Sequence, residues 1–356
     1  MQNKIYDTII IGGGQAGLSM AYFLRRAKSD YLILDDSKLP GGSWNRTWEG
    51  LKLFSPSEFC SLSGWRMPKS ENEYPTKDEF IDYLNEYDKK YEVPIVRPVK
   101  VKSIVKSGNI FEIETDKDKY RATTVVSATG TAQCPYIPEY PNQVEFTGEQ
   151  VHSVDYRTPL SFAGQKVLII GGGNSGAQVL AEISLVAEAK WVTLEEPNFL
   201  PKEIDGRYLF NQATAKYQQM LKGEKTEQRK ASLSDIVMVE SVRDAEKRGD
   251  LKSVRPFKEF YSDGVVWNDG EKEVFDTVVW CTGFKANLEH LKSLNIVKNG
   301  RIRTKGTQSV EVPGLWLLGY GNWTGYASAT IYGVGKTARE TAKEITSFID
   351  SLQADK

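Results

Sequence analysis

Short, fully apolar runs and helix-like stretches alternate along this 356-residue chain, and the alternation occurs twice. Residues 6–11 read as a strand, 15–26 as a helix and 31–34 as a second strand. Residues 166–170, 175–187 and 191–194 repeat the series. Continuous apolar runs of this length suit parallel strands buried on both faces and joined by crossover helices.

A second repeated pattern follows each series. Residues 99–105, 110–114 and 120–122 form a small β-meander turning at Ser107-Gly108-Asn109, and lead into Thr124-Val125-Val126-Ser127-Ala128-Thr129-Gly130. Residues 254–266 and 274–275, with turns at Asp263-Gly264 and Asp269-Gly270, lead into Thr277-Val278-Val279-Trp280-Cys281-Thr282-Gly283. A buried strand ending in Thr-Gly brings backbone close to a ligand with no bulky side chain in the way. One more apolar strand, 314–318, runs into Gly319-Tyr320-Gly321-Asn322, and a last helix begins near residue 329.

Each series carries a glycine turn between its strand and its helix. The first reads Gly12-Gly13-Gly14-Gln15-Ala16-Gly17 and the second Gly171-Gly172-Gly173-Asn174-Ser175-Gly176. Both fit G-x-G-x-x-G in the strand–turn–helix context that binds a dinucleotide pyrophosphate. The helix starts at Gln15 and Asn174 offer free N–H groups and a positive dipole end. Asp35 (with Asp36 after it) and Glu195 close the second strands, about 20 residues beyond the glycines, where an acid suits the adenosine ribose hydroxyls. The competing reading of each is a solvated acid at a strand end. Two such sites in one chain imply electron transfer between two dinucleotides.

The expected fold is α/β, with two dinucleotide-binding, Rossmann-like domains of three-layer ββα type and a small β-meander in each. The first domain is expected to be discontinuous, 1–157 plus 284–356, with 158–283 inserted. The polar, helix-like stretch 198–248 exceeds a normal connection and is expected to cap the second site.

Composition narrows the chemistry further. Hydrophobic residues make up 40% and charged residues 26%, with net charge −1, so nothing pulls the chain toward nucleic acid or an acidic membrane. No apolar run approaches the roughly 20 residues that span a bilayer, and no leader precedes the first strand, so a cytoplasmic location is expected. Cys60, Cys134 and Cys281 are isolated, and there are two histidines. That pattern excludes a C-x-x-C dithiol and a disulfide framework, and no zinc or other metal site is expected. The redox chemistry must come from a bound cofactor.

Between the glycine turns lies Phe146-Thr147-Gly148-Glu149-Gln150-Val151-His152-Ser153-Val154-Asp155-Tyr156, which fits F-x-G-x-x-x-H-x-x-x-[FYW]. This resembles the fingerprint of the flavin-containing and Baeyer–Villiger monooxygenases, and the chain is similar in length to short bacterial members. Gly41-Gly42-Ser43-Trp44 resembles the family's GG-x-W flavin contact. The resemblance implies FAD at Gly12, Gly14, Gln15, Ala16 and Gly17, with Asp35, Asp36, Gly42, Trp44, Phe54, Ser55, Ala128, Thr129, Gly130, Asn322 and Thr330 around it. It implies NADH or NADPH at Gly171, Gly173, Asn174, Ser175 and Gly176, with Glu195, Thr282 and Gly283. The implied reaction reduces FAD with the nicotinamide and captures O₂ as a C4a-(hydro)peroxide. That species oxygenates a small organic substrate by sulfoxidation, by amine oxygenation or by Baeyer–Villiger attack on a ketone. His152 is read as a domain-linker residue in preference to an acid–base group.

Two departures from larger relatives bear on catalysis. Phe54, in Leu53-Phe54-Ser55, occupies the flavin-side catalytic position where many carry asparagine, and it donates no hydrogen bond. Wasteful H₂O₂ release is therefore expected. Leu194-Glu195-Glu196 stands where NADPH-specific relatives carry arginine, which favours NADH, with Lys190, Lys202 or Arg207 as cations that would restore NADPH. Asn322 replaces an aspartate commonly set against the ribityl chain, and the last helix, beginning near Ala329-Thr330, is expected to aim N–H groups at the flavin pyrimidine. Trp44, Trp48, Phe54, Phe59, Trp65, Trp323 and Tyr326 suggest an apolar substrate. Partners are then a small molecule and O₂, with a homodimer as the candidate assembly. Two other readings stand: an NAD(P)H oxidase or flavin reductase, and a non-catalytic sensor of nucleotide redox state.

Overall fold

The computed structural model describes residues 4–72, 74–201, 235–325 and 327–354. The chain forms two compact units. The first takes the residues through Asn45, Ser55–Cys134 and those from Lys285 onward; the second takes Arg46–Phe54 and Pro135–Phe284.

In the first unit, β1 (Ile5–Ile11), α1 (Gln15–Arg26) and β2 (Tyr31–Leu34) form the βαβ series, with β1 and β2 parallel and in register from Thr8↔Tyr31 to Ile11↔Leu34. Helix α2 (Lys77–Lys90) starts with a capping box, Thr76 taking the Glu79 N–H and Glu79 taking the Thr76 N–H. β3 (Ile95–Val96) adds to β2. The meander is β4 (Val101–Ser107), β5 (Ile110–Thr115) and β6 (Lys119–Ser127), antiparallel throughout, and β6 continues parallel to β1.

The second unit opens with β7 (Glu149–His152), then β8 (Lys166–Ile170), α3 (Asn174–Ile183), β9 (Glu188–Val192), α4 (Glu240–Arg248) and β10 (Ser253–Val254). A separate antiparallel sheet follows, of β11 (Glu259–Tyr261), β12 (Gly264–Val266) and β13 (Lys272–Val274), before β14 (Thr277–Trp280). The parallel sheet runs β10-β9-β8-β14-β7. Period-two alternation along β8 explains the layering. Val167 and Ile169 pack with Ala177, Leu180 and Val242 of the helices, whereas Leu168 and Ile170 pack with Phe260 and Val265 of the small sheet and with Phe257 just before it.

The chain returns to the first unit with β15 (Thr304–Lys305), β16 (Gln308–Ser309), β17 (Leu315–Leu317) and α5 (Ile331–Ala354). β17 lies parallel to β6, giving the order β15-β16-β17-β6-β1-β2-β3. Here Ile9, Leu32, Val125 and Leu315 meet the meander residues Ile104, Phe111 and Ile113. α1 contacts β1 and β2, and α5 contacts α1 and β6. Each unit is thus helix, parallel sheet and antiparallel sheet, the expected three layers.

The observed differences have local causes. Residues 135–157 lie with the second unit because β7 pairs with β14 from Thr277↔Glu149 to Trp280↔His152. Residues 46–54 lie there too. The second meander is three short strands apart from the parallel sheet, where the first continues into it. β9 ends at Val192, two residues short of the expected end, and Leu194 is 83% exposed. Of the stretch 198–248, the helix Glu240–Arg248 is present, and 202–234 lies outside the described residues, with Lys202 and Arg207 in it. Among the described residues, no helix is long and apolar enough to cross a membrane.

Candidate functional site

The two glycine turns are built alike at their first and third glycines. Gly12 has φ +104° and Gly171 φ +135°, a region open to glycine. A Cβ on Gly12 would collide with the Ala128 carbonyl, and one on Gly171 with the Cys281 carbonyl. A Cβ on Gly17 would overlap the Gly12 oxygen, and one on Gly176 the Gly171 oxygen, so each third glycine lets its helix lie against the turn. The middle glycines differ from these. Gly173 has no atom within 4 Å of its Cβ position, and Gly14 meets only the Gly42 Cα, at 3.7 Å. The chain's own packing does not require glycine there, and an approaching pyrophosphate does.

The helix starts fit the same ligand. The N-caps Gly14 and Gly173 make no side-chain cap, and neither first turn carries an acid. The side chains of Gln15 and Asn174 are engaged elsewhere, which leaves backbone N–H groups as the donors. Gln15 donates to the Ala329 carbonyl (2.9 Å) and accepts from Trp44 Nε1 (3.1 Å). Asn174 donates to the Asp235 carbonyl and accepts from the Val237 N–H, both at 2.9 Å. Ala16 is buried in α1, whereas Ser175, at the α3 start, is half-buried. Gly42, φ +55°, abuts the first turn, since a Cβ there would stand 2.8 Å from the Gly14 Cα.

Asp35 is 3% exposed and lies against the first turn, where a Cβ on Gly13 would meet its Oδ2 at 2.6 Å. Arg97 Nε donates to that Oδ2 (2.9 Å) and Arg97 Nη1 to Asp88 (2.9 Å). Arg97 Nη2 is buried without a partner. Asp36 accepts from Gln133 (2.7 Å), which accepts from Asn287 (3.0 Å).

In the second unit the place equivalent to Asp35 belongs to Thr193. Gly12 N–H donates to the Leu34 carbonyl and Gly171 N–H to that of Val192; the next residues, Asp35 and Thr193, donate to Val96 and Val254. The expectation that Glu195 matches Asp35 is corrected: it lies beyond the strand end and is exposed. Thr193, 2% exposed, accepts from Arg255 Nη1 (2.6 Å), and Arg255 Nη2 bonds Glu196 (2.5 Å) and Ser253 (2.9 Å). Lys190 is turned to Glu273 (2.5 Å) and the Trp267 ring. Sequence reasoning missed Arg97, Thr193 and Arg255, although the tripeptides Val96-Arg97-Pro98 and Val254-Arg255-Pro256 repeat in the two halves.

The Thr-Gly segments are braced from below. Gly130 (φ +65°) and Gly283 (φ +84°) have open space at their Cβ positions. Ala128 is buried and donates its N–H to the Ile11 carbonyl (2.8 Å). Thr129 Oγ1 donates to the Asn287 carbonyl (2.6 Å) and lies 2.6 Å from the Tyr320 hydroxyl, which lies 2.5 Å from Ser127 Oγ. His290 Nε2 is 2.9 Å from that Ser127 oxygen, and burial holds its pKa down at about 4, so the ring is neutral. His152 accepts the Val154 N–H at Nδ1 (3.1 Å), so Nε2 carries the proton and donates to the Gly283 carbonyl (3.0 Å). Burial also lowers its pKa. Thr282 Oγ1 donates to the Tyr136 carbonyl.

The fingerprint's Tyr156 donates to Glu182 of α3 (2.7 Å), which also accepts from Trp48 Nε1 (3.0 Å). The segment 46–54 is further held by the Glu49 N–H to the Arg157 carbonyl and by Arg157 to that of Arg46. Phe54, at its end, packs half-buried on the helix-side core of the second unit. The aromatic set expected to mark a pocket divides among several packing sites: Trp48 in that core, Phe59 on Tyr332, Trp65 on Tyr83 and Trp323 on Tyr320. Tyr326 lies outside the described residues.

Ser55 is buried and its carbonyl accepts from the Cys60 thiol. Asn322 is exposed at the start of a short 3₁₀ turn. Thr330 Oγ1 takes the Gly333 N–H (3.0 Å), so the α5 start spends one donor internally. Burial pushes the Cys60 and Cys281 thiols up to about 12, which makes both unreactive at neutral pH.

Comparison with known proteins agrees with this geometry. Residues 9–319 match the family model described as pyridine nucleotide-disulphide oxidoreductase. The flavin-containing monooxygenase from Stenotrophomonas maltophilia superposes on 97% of this chain and 99% of its own, with 43% identity and a TM-score of 0.90. A curated relative, the uncharacterized oxidoreductase CzcO-like of Geobacillus kaustophilus, is 32% identical over 96% of this chain and 98% of its own length. The probable indole-3-pyruvate monooxygenase YUCCA8 of Arabidopsis thaliana is 27% identical over 83% of this chain and 79% of its own.

Proposed function

The chain belongs to the pyridine nucleotide-disulphide oxidoreductase family, among its flavin-containing monooxygenases, and we propose that it oxygenates small organic molecules with FAD, O₂ and NADH or NADPH. The disulphide half of the family's name finds no counterpart here, since the chain has no C-x-x-C pair. The observation that carries the reading is the matched pair of turns, each with an open middle glycine at an uncapped helix start.

Bound FAD, with the nicotinamide as the source of electrons, would supply the O₂ activation and the oxygen transfer. The protein's residues bind and orient. The N–H groups at the α1 start hold the FAD pyrophosphate, and those at the α3 start hold that of the nicotinamide. Asp35 takes a ribose hydroxyl beside the first turn, while Arg97 fixes its carboxylate. The open backbones at Gly130 and Gly283 admit cofactor without steric conflict. His152 and Tyr156 hold the Thr282-Gly283 segment and the strap 46–54, which makes the fingerprint a positioning device. Substrates are soft nucleophiles such as thioethers and amines, with cyclic ketones as the Baeyer–Villiger class.

Phe54 supports a second reading, an NAD(P)H oxidase, because its ring offers no hydrogen bond at the sequence position where larger relatives carry asparagine. One experiment separates the two. The FAD-loaded protein is incubated with NADH or NADPH, O₂ and panels of thioethers, amines and ketones, and both oxygenated product and H₂O₂ are quantified. The monooxygenase reading requires product carrying one added oxygen atom, with appreciable H₂O₂ beside it. H₂O₂ equal to the nicotinamide consumed, with no product from any panel, would establish the oxidase.

A further inference from the structure

The two units place an arginine in the same spot and surround it differently. In each, the strand after the βαβ series ends in Val-Arg-Pro, and the arginine turns back onto the residue that closes the preceding strand. Arg97 meets the carboxylates of Asp35 and Asp88, with side-chain exposures of 13%, 4% and 16%. That guanidinium is fully neutralised and enclosed. Arg255 meets the neutral Thr193 hydroxyl instead, and its one carboxylate is Glu196. Arg255 is 41% exposed and Glu196 81%.

An acid at this position suits a 2′-hydroxyl, and an arginine accommodates a 2′-phosphate. The Arg255 fork has the geometry to take phosphate oxygens in parallel hydrogen bonds. The Glu196 pair is exposed, so its carboxylate moves aside at little cost. Resting on the reading that the second turn binds a nicotinamide dinucleotide, we infer that Arg255 is the specificity-determining residue for the 2′-phosphate of NADPH, with Glu196 as the competing internal anion. When NADH binds, the Arg255–Glu196 pair stays closed, and the Thr193 hydroxyl keeps its own hydrogen for a ribose oxygen. When NADPH binds, the phosphate replaces Glu196. The protein therefore uses both, and the exposed carboxylates at 195 and 196 moderate NADPH use without excluding it.

The test measures binding of 2′,5′-ADP and 5′-ADP to the FAD-loaded protein by calorimetry, alongside kcat/KM for NADPH and NADH. Arg255→Ala should weaken 2′,5′-ADP about tenfold or more and leave 5′-ADP unchanged. Glu196→Gln should tighten 2′,5′-ADP by about threefold, again without effect on 5′-ADP. Arg255→Lys, which keeps the charge and loses the fork, should fall between wild type and alanine. Wild-type 2′,5′-ADP affinity in Arg255→Ala, or an unchanged ratio in Glu196→Gln, overturns the inference while 5′-ADP binding still upholds the nicotinamide site. Failure of the wild type to bind either nucleotide would remove both.

Discussion

The two βαβ units share a backbone plan and part at one residue, Asp35 in the first and Thr193 in the second. Asp35 is a buried carboxylate, and the buried Arg97 guanidinium holds it in place. Thr193 leaves Arg255 half-open, partnered by a carboxylate that solvent reaches freely. On the proposed assignment the difference suits the two cofactors: FAD would stay through every turnover, whereas the nicotinamide would enter and leave. The two sites thus differ in how deeply their arginine's ion pairs are buried.

The largest expected effect comes from the third glycines. Gly17→Ala or Gly176→Ala drives a Cβ into backbone oxygen, which cannot shift as a side chain would. Gly17→Ala should yield no folded, flavin-loaded protein. Gly176→Ala should leave a flavin-bearing first unit with a collapsed second one, read by flavin absorbance and limited proteolysis. Gly14→Ala and Gly173→Ala sharpen the contrast. Their Cβ atoms clear the protein, so stability should fall by no more than about 1 kcal/mol, the effect of putting alanine for glycine at an N-cap. Affinity for FAD or nicotinamide, respectively, should fall about tenfold or more. A Gly173→Ala variant with wild-type nicotinamide affinity would break the parallel between the turns.

The ion pairs come next. Asp35→Ala leaves the buried Arg97 Nε without its acceptor, with Asp88 as the remaining carboxylate, and should cost about 1–3 kcal/mol in denaturant unfolding. Thr193→Ala leaves Arg255 in solvent and should cost no more than about 1 kcal/mol. Equal costs would show that the two arginines are not differently enclosed.

The histidines, one per unit, give the smallest contrast. Burial holds His290 at about 4, below its ordinary value, whereas the unfolded chain takes up that proton near pH 6.5. Between those values the unfolded state binds more protons, so stability falls as pH falls, by about 3 kcal/mol from this group. His290→Gln should flatten that part of the unfolding-versus-pH curve. His152→Gln should flatten it less, because the hydrogen bond to Gly283 opposes the effect of burial there.

Much of this was legible along the chain because its signals are local. An apolar run, a glycine turn and a helix lie within one stretch of sequence, and steric exclusion at Gly17 and Gly176 comes from the first glycine of the same turn. The fingerprint was legible for the same reason. Glu195 misled because strand ends are not written in composition. Leu194 looks like a strand residue and is 83% exposed past the end of β9. Arg97 and Arg255 were visible only as ordinary cations until pairing brought β3 beside β2 and β10 beside β9. Nothing in the sequence marks Glu182; the fold closes Trp48 and Tyr156 over it, so that burial raises its pKa against their hydrogen bonds.

By itself, then, the sequence determined that two dinucleotide turns exist and that they sit in repeated three-layer units, which follows from backbone sterics and from periodicity acting over a few residues. The flavin and the nicotinamide entered through the resemblance that the fingerprint at Phe146–Tyr156 carries. The tertiary structure alone decided which charge meets which turn. Electrostatics depends on distance and burial, and residues 35 and 97, or 193 and 255, become neighbours only when their strands pair.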